Sequence, residues 1–430
     1  MKKMSGEAVY VVDGSRSPYL KSTSPTKAMI ASDLAIKSAY PLLARQPFSP
    51  EELDEVILGC MMSGPDEANI GRVVSLRLGC GKRVPAWTVQ SNCGSGMQAL
   101  DCAARNIASG RADLIMAGGV ESMSHAPLLF PPEMTSWLGN LTKAKTFQAK
   151  AKLMAKFKPA NLKPIIGLLR GLTDPTVGLN MGHTAEILAD KFNISRLEMD
   201  EYAVLSHQRL LAANEEGRLV EIETIYDWNG NIYDHDEGAR PDSSVENLAR
   251  LKPAFDKKFG KVTPGNSSQI TDGAAWLILA SEEAVKKHQL PIMGRIVDAT
   301  WAGNEPREMG LGPVHASTPL LKRNRLNLDK IDYLELNEAF AAQVIGCCRA
   351  WADDDYCKKE LGLKSAFGQV DPDKLNVDGG AISVGHPVGS SGARIVLHLL
   401  HTLEQRKATR GLATLCIGGG QGGAMLVERG

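Results

Sequence analysis

Little in this chain draws it toward a charged partner. Its 49 Lys and Arg are balanced by 49 Asp and Glu, so no global field attracts it to nucleic acid. No apolar run approaches the roughly 20 residues that span a bilayer. The start, Met1 to Glu7, has basic residues but no apolar stretch, and reads as no signal peptide. The eight cysteines (Cys60, Cys80, Cys93, Cys102, Cys347, Cys348, Cys357 and Cys416) form no C-x-x-C pair and no zinc-type spacing with histidine. That speaks against a disulfide framework and for a reducing compartment, so a cytoplasmic location is expected.

What is present is the composition of a globular protein, 43% hydrophobic and 23% charged. A chain of 430 residues exceeds one ordinary core, so two or more domains are expected. Ala8 to Val12 reads as a buried strand ended by Asp13-Gly14. Leu53 to Leu58 and Ala112 to Ala117 read as further strands, and Ser32 to Leu43 as a helix. Strands alternating with helices imply an α/β fold. The pattern repeats faintly. Leu53 to Leu58 resembles Ile331 to Leu336. Ser95-Gly96 and Ser391-Gly392 each open a helix, followed by an apolar run reaching Gly118-Gly119 or Gly418-Gly419. A duplicated α/β unit is expected.

One segment departs from this balance. Met134 to Thr173 holds seven lysines and Arg170 with no Asp or Glu. Pro159 and Pro164 break any long helix there. The segment reads either as a solvated excursion whose apolar residues pack on the protein, or as a docking surface for an anionic membrane or partner.

The chemistry gathers at glycine-rich turns. In Val89 to Gln98 an apolar approach ends in Cys93, then small residues lead into a helix. A thiol at a helix N-terminus is favoured as a thiolate, a nucleophile for acyl groups. Alone it is a weak sign, since most free cysteines are small buried hydrophobes. His386, between Gly385 and Pro387, offers an imidazole that can take the thiol proton or face an oxyanion. Cys416 precedes Gly418, Gly419 and Gly420, where backbone can approach a ligand closely. Asn337, opening Asn337-Glu338-Ala339-Phe340, has an amide that can fix a water.

Taken with Gly118 to Ser124, Met181 to Glu186, Gly265 to Ser268 and Thr271 to Ala275, these segments resemble the thiolase family along nearly the whole chain. The resemblance implies the thiolase fold: two α/β halves in a five-layered αβαβα arrangement with an inserted loop domain. Its boundaries here are 1–127 with 245–290, the insertion 128–244, and 291–430. It implies a reversible Claisen condensation and thiolysis between coenzyme A thioesters, with no metal or redox cofactor. Cys93 would carry the acyl group, His386 would deprotonate it, and Cys416 would serve as the second acid/base. Asn337 would hold a water beside His386, and the Cys93 and Gly418 N–H groups would form an oxyanion hole. Ser268 and Arg240 would contact coenzyme A, and Met181, Met309 and Phe340 would line the acyl pocket. Each of these five has a plain alternative as a turn residue, a surface cation or ordinary core.

Short-chain members of that family often carry histidine where this chain has Asn180. The resemblance also implies a homodimer or homotetramer. For segment 134–173 it implies either a hydratase/dehydrogenase partner subunit or peripheral contact with an anionic membrane. Two rivals are a decarboxylating ketoacyl synthase, which would need two histidines, and a non-catalytic acyl-CoA-binding subunit, which would lack one of the reactive residues.

Overall fold

The computed structural model describes residues 3–23 and 28–430; Met1 and Lys2, part of the start read above, lie outside the described residues. The first half runs β1 (Tyr10–Arg16), α1 (Ala31–Ala44), β2 (Glu55–Gly59), α2 (Ile70–Arg77), β3 (Ala86–Val89), α3 (Ser95–Ala108) and β4 (Leu114–Ser122). A long excursion follows, holding α4 (Pro132–Lys143), α5 (Phe147–Ala155), α6 (Met181–Lys191) and α7 (Arg196–Glu215). It ends at β5 (Thr271–Ala280). The second half runs β6 (Gly294–Gly303), α8 (Gly312–Arg323), β7 (Tyr333–Leu336), α9 (Ala341–Ala352), α10 (Val388–Gln405), β8 (Arg410–Ile417) and β9 (Gln421–Arg429).

The two halves share one topology. Their strands join into one continuous sheet where β1 pairs with β6; the first half has the order β1-β5-β4-β2-β3 and the second β6-β9-β8-β7. In each, the late strand enters antiparallel between two earlier ones, and β2 and β7 pair in parallel with β4 and β8. The counterpart of β3 is reduced to a single parallel bridge, Leu334 to Leu375. The expected repeat is present, and Val56 and Leu334 hold matching places opposite Met116 and Leu412. The glycine pairs are not equivalent, however. Gly118-Gly119 lies inside β4, whereas Gly418-Gly419 lies in the β8–β9 turn.

Strand alternation builds the layers. On β5, Ala275, Leu277 and Leu279 face a central core, while Trp276 and Ile278 face an outer one with α1 and α2. On β9, Met425 and Val427 face the same central core, and Ala424 and Leu426 face α8 and α9. Helices α3 and α10 fill the middle, giving helix, sheet, helices, sheet, helix. Both β4 and β5 are buried along their whole length, which is why most of their residues are apolar on both faces.

Asp13-Gly14 does not end β1. The register shifts between Val11 and Asp13, a bulge that the chain continues through. Gly14 is needed for packing, since a Cβ there would lie 2.4 Å from Leu397 Cδ1. Helix α10 begins at Val388, three residues before the expected Ser391, and its first thirteen residues are buried. The charges on that face are therefore paired: Arg394 with Glu335 at 3.3 Å, and His398 with Glu221 at 3.0 Å and Asp378 at 3.4 Å.

Candidate active site

Strand β3 delivers the chain to Ser91, and a tight turn follows. Asn92 has φ +45°, a left-handed conformation that a short amide tolerates. Its side chain donates to the Gly418 carbonyl at 2.9 Å, which joins the turn before α3 to the turn after β8. Cys93 lies between them, just ahead of the first turn of α3. Its thiol faces the N–H groups of Gly418 and of Cys93 itself. Burial outweighs both and pushes the thiol up to about 11. The helix N-terminus alone therefore does not hold Cys93 as a thiolate, and a base is needed, as the resemblance implies.

His386 can be that base. Gly385 before it has φ +114°, and a Cβ there would meet Thr271 Cγ2 at 2.4 Å, so only glycine fits. The His386 N–H donates to the Gln269 carbonyl at 3.0 Å. Its Nδ1 lies 2.7 Å from Ser391 Oγ, which itself donates to the Pro387 carbonyl at 3.1 Å. A hydroxyl has one hydrogen; with it on the Pro387 carbonyl, Nδ1 carries the ring proton and Nε2 is left bare. That Nε2 is buried without a partner among the described residues. Burial, with Arg394 adding to it, holds the ring down to about 4, so it is neutral at pH 7.

Two more polar ends are buried and unpartnered: Asn337 Oδ1 and Nδ2. A buried amide in this state marks a place for a water or a ligand oxygen. Asn337 is held by its backbone, its N–H donating to Thr414 on β8 at 3.0 Å. Next to it, Glu338 accepts from Tyr202, Ser206, Asn376 and the Ile382 N–H, which fixes the loop. Cys416 is fully buried and forms one small cluster with Met309, Ala339, Met181 and Phe340. Burial first, then the neighbouring Cys93, pushes the Cys416 thiol far up.

A cavity of about 1070 Å³ opens over Cys93. Asn92, Gly418, Gly419, Met181 and Val388 line its floor, and Met61 one wall. Its roof is the end of the basic segment: Pro164, Ile165, Ile166, Leu169, Arg170 and Leu172. The segment is thus divided. Trp137 and Phe157 pack on each other at 4.8 Å inside the excursion, so of the three aromatics only Phe147 is presented to solvent. All seven lysines and Arg170 are exposed, and none forms an ion pair among the described residues.

Ser268 does not line the cavity; its N–H donates to the carbonyl of Ala339, a residue of the Cys416 cluster, at 3.0 Å. Arg240 is exposed beside His207 and does not line the cavity. Asn180 caps α6 by accepting from the Gly182 N–H at 3.0 Å, which sets the entry of Met181. Sequence reasoning missed Asn92, Ser391 and Glu338, whose roles follow from partners far along the chain or across a helix turn. No group of side chains suited to a metal ion occurs among the described residues.

The family models for the thiolase N-terminal domain and the thiolase C-terminal domain match residues 9–283 and 290–429. The chain is 40% identical to the β-ketoadipyl-CoA thiolase of Pseudomonas aeruginosa, over 98% of this chain and 99% of that one. It is 36% identical to the human mitochondrial trifunctional enzyme subunit β, over 98% of this chain and 88% of the relative. A crystal structure of human mitochondrial 3-ketoacyl-CoA thiolase in complex with CoA superposes with a TM-score of 0.84 at 36% identity, covering 99% and 98% of the two chains. The motifs, the duplicated halves and these matches agree: the chain belongs to the thiolase family.

Proposed function

We propose that Cys93, His386, Cys416 and Asn337 carry out the thiolase reaction of this chain, the reversible exchange of acyl-CoA plus acetyl-CoA for 3-ketoacyl-CoA plus coenzyme A. The observation that carries the assignment is that Cys93, lining the cavity with Gly418, faces the Gly418 N–H and lies close enough to the buried Cys416 for their charges to interact. In thiolysis His386 Nε2 takes the Cys93 proton, and Sγ attacks the 3-keto carbon. The bond between C2 and C3 breaks, and its electrons form the enolate of acetyl-CoA. Cys416 gives its proton to C2. Coenzyme A then passes its thiol proton to Cys416 and attacks the Cys93 thioester, and the departing Sγ recovers its proton from His386. Once it carries the Cys93 proton, Nε2–H suits the enolate oxygen as a donor, together with a water held by the unpartnered Asn337 amide. The N–H groups of Cys93 and Gly418 suit the tetrahedral oxyanion. Brief incubation with acetyl-CoA should label Cys93 and no other cysteine; a label that persists in Cys93→Ser would remove Cys93 from this role.

The apolar roof from Ile165 to Leu172 supports an acyl group longer than acetyl. Thiolysis of 3-ketoacyl-CoA substrates of increasing length should show kcat/KM rising beyond four carbons, with Leu169→Asp lowering it for the long substrates alone. A preference for four carbons would overturn this.

Association is part of the same reading. Strand β3 is an open sheet edge, which supports pairing with a second copy in a homodimer or homotetramer. The exposed cations of 134–173, with Phe147 among them, support a cytoplasmic protein that touches an anionic surface, either a membrane leaflet or an acidic partner subunit. Changing Lys143, Lys145, Lys150 and Lys152 to Gln should abolish salt-sensitive co-sedimentation with anionic vesicles or capture of the partner. Unchanged binding, with a raised KM for coenzyme A, would assign the lysines to the substrate instead.

A further inference from the structure

Strand β4 is apolar along most of its buried length, yet it carries a carboxylate at position 121 with no exposed surface. Such a group must be satisfied where it lies. Glu121 Oε2 accepts from the N–H groups of Met61 and Gly389, both at 3.0 Å. Oε1 accepts from the Met62 N–H at 3.0 Å and from the Cys60 thiol at 3.6 Å.

These donors belong to different halves. Met61 and Met62 follow β2, and Met61 lines the cavity over Cys93. The Met61 carbonyl also accepts from the Gln90 amide at 2.6 Å, on the approach to Cys93. Gly389 lies in the first turn of α10, three residues after His386. That helix opens behind Pro387 with no side-chain cap of its own. Glu121 supplies the missing anion at its N-terminus from 268 residues away. The backbones there are in contact: a Cβ on Gly119 would lie 2.0 Å from the Gly389 carbonyl oxygen.

We propose that Glu121 is a positioning residue: it locks the His386 end of α10 to the Met61 loop across the two halves, so that His386 and Cys93 meet the substrate in one register. This rests on the assignment of Cys93 and His386 made above. A single carboxylate is the only side chain, among the described residues, bonded to both the cavity loop and the first turn of α10.

The lock is open to protons. Burial pushes Glu121 up to about 6, although its N–H partners favour the charged form. The ionisable groups set against it are the Cys60 and Cys93 thiols, both pushed upward; α10 presents only the Gly389 backbone. Loss of the Glu121 charge alone would ease ionisation of Cys93 and raise the rate. Loss of position would lower it. The sign of the effect therefore separates the two.

The test is thiolysis kcat against pH, with near-ultraviolet circular dichroism at each point, for the wild type, Glu121→Gln and Glu121→Ala. Wild-type kcat should fall as the pH drops through about 6 with the dichroism unchanged. Glu121→Gln keeps the size but replaces one acceptor oxygen with a donor. At neutral pH its kcat should fall by up to about 100-fold with the KM for coenzyme A nearly unchanged, and its profile should lack the acid limb. A wild-type kcat that holds steady or rises through that range overturns the proposal, even if both variants fail to fold. So does a variant whose loss of kcat only tracks its loss of folded protein. If His386→Ala retains full kcat, the underlying site assignment fails. If that variant is inactive while Glu121→Gln is not, only this inference fails.

Discussion

Replacing Ser391 with alanine isolates what fixes the proton on His386. The Ser391 hydroxyl gives its only hydrogen to the Pro387 carbonyl and receives Nδ1–H from the imidazole at 2.7 Å. In Ser391→Ala that Nδ1–H is left buried without an acceptor, at a cost of about 1–3 kcal/mol. The ring escapes by moving its proton to Nε2, where the water suited to Asn337 can accept it, and in that tautomer it can no longer take the proton of Cys93. At 1.36 kcal/mol per factor of ten, the competent tautomer falls about 5- to 150-fold. The loss should appear in kcat and in the rate of Cys93 acylation, with the KM for coenzyme A unchanged, because Ser391 lines no part of the cavity. The neighbouring residue is the control. Ser390 Oγ pairs with the Tyr19 hydroxyl at 2.7 Å and not with His386. Ser390→Ala should lower the melting temperature and leave kcat within about twofold. Acylation of Ser391→Ala at the wild-type rate, or an equal loss in both variants, would refute the tautomer reasoning.

Cys416→Ser should still acylate at Cys93 yet condense about 10²–10⁴-fold more slowly, whereas His386→Ala should fail at acylation itself; single-turnover labelling separates them, and the reverse pattern would exchange their roles. Stability should be bounded on both sides by the buried charges of α10. Burial opposes the His398 charge, but Glu221 and Asp378 outweigh it and raise the ring from 6.5 to about 10, so its contribution is complete below pH 6.5 and is lost as the pH rises toward 10. Burial likewise opposes the Glu221 charge, yet His398 and Arg16 hold this carboxylate below its ordinary 4.5, so its share is lost on acidification past that value. Melting temperatures against pH should fall on both sides, and His398→Gln should flatten the alkaline side. Gly119→Ala forces a Cβ against backbone and should cost roughly 1–3 kcal/mol or more, while Gly139→Ala, in open space within α4, should be neutral or stabilise by up to about 1 kcal/mol; thermal melts of both check this.

The residues that carry chemistry were legible because their types and glycine-rich settings are unusual. Cys93, Asn337 and His386 stand in the short stretches that lead into helices, and Cys416 stands at the end of β8 just before its glycine turn. Their supports were not legible. Ser391 reads as a helix opener, and only three-dimensional structure shows that α10 has already begun and that the hydroxyl turns back to His386. Asn92 reads as part of a nucleophile motif, yet its work is on Gly418, 326 residues away. The environment of Cys93 was only half legible, because dipole and N–H effects are local and visible in sequence, while burial depends on the whole fold. Gly14 was read as a turn because glycine has two uses, conformational freedom and close packing, and composition does not distinguish them. The basic segment was read as one unit by its charge, although its two ends do different things.

The placing of β5 and β9 governs how the protein can be made. Each is the strand that completes its sheet from the inside: β5 between β1 and β4, β9 between β6 and β8. During synthesis β1 and β4 leave the ribosome long before β5, since the entire excursion from 123 to 270 is translated in between. Until Ala280 emerges the first sheet has a gap at its middle and two unpaired inner edges. The second sheet repeats the problem until Arg429. Pairings this distant in sequence form slowly and leave apolar edges exposed while they wait. A nascent chain of this protein is therefore a natural client for chaperones. A message truncated before Gln421 would yield neither a closed second sheet nor the strand against which the Gly418 turn is folded.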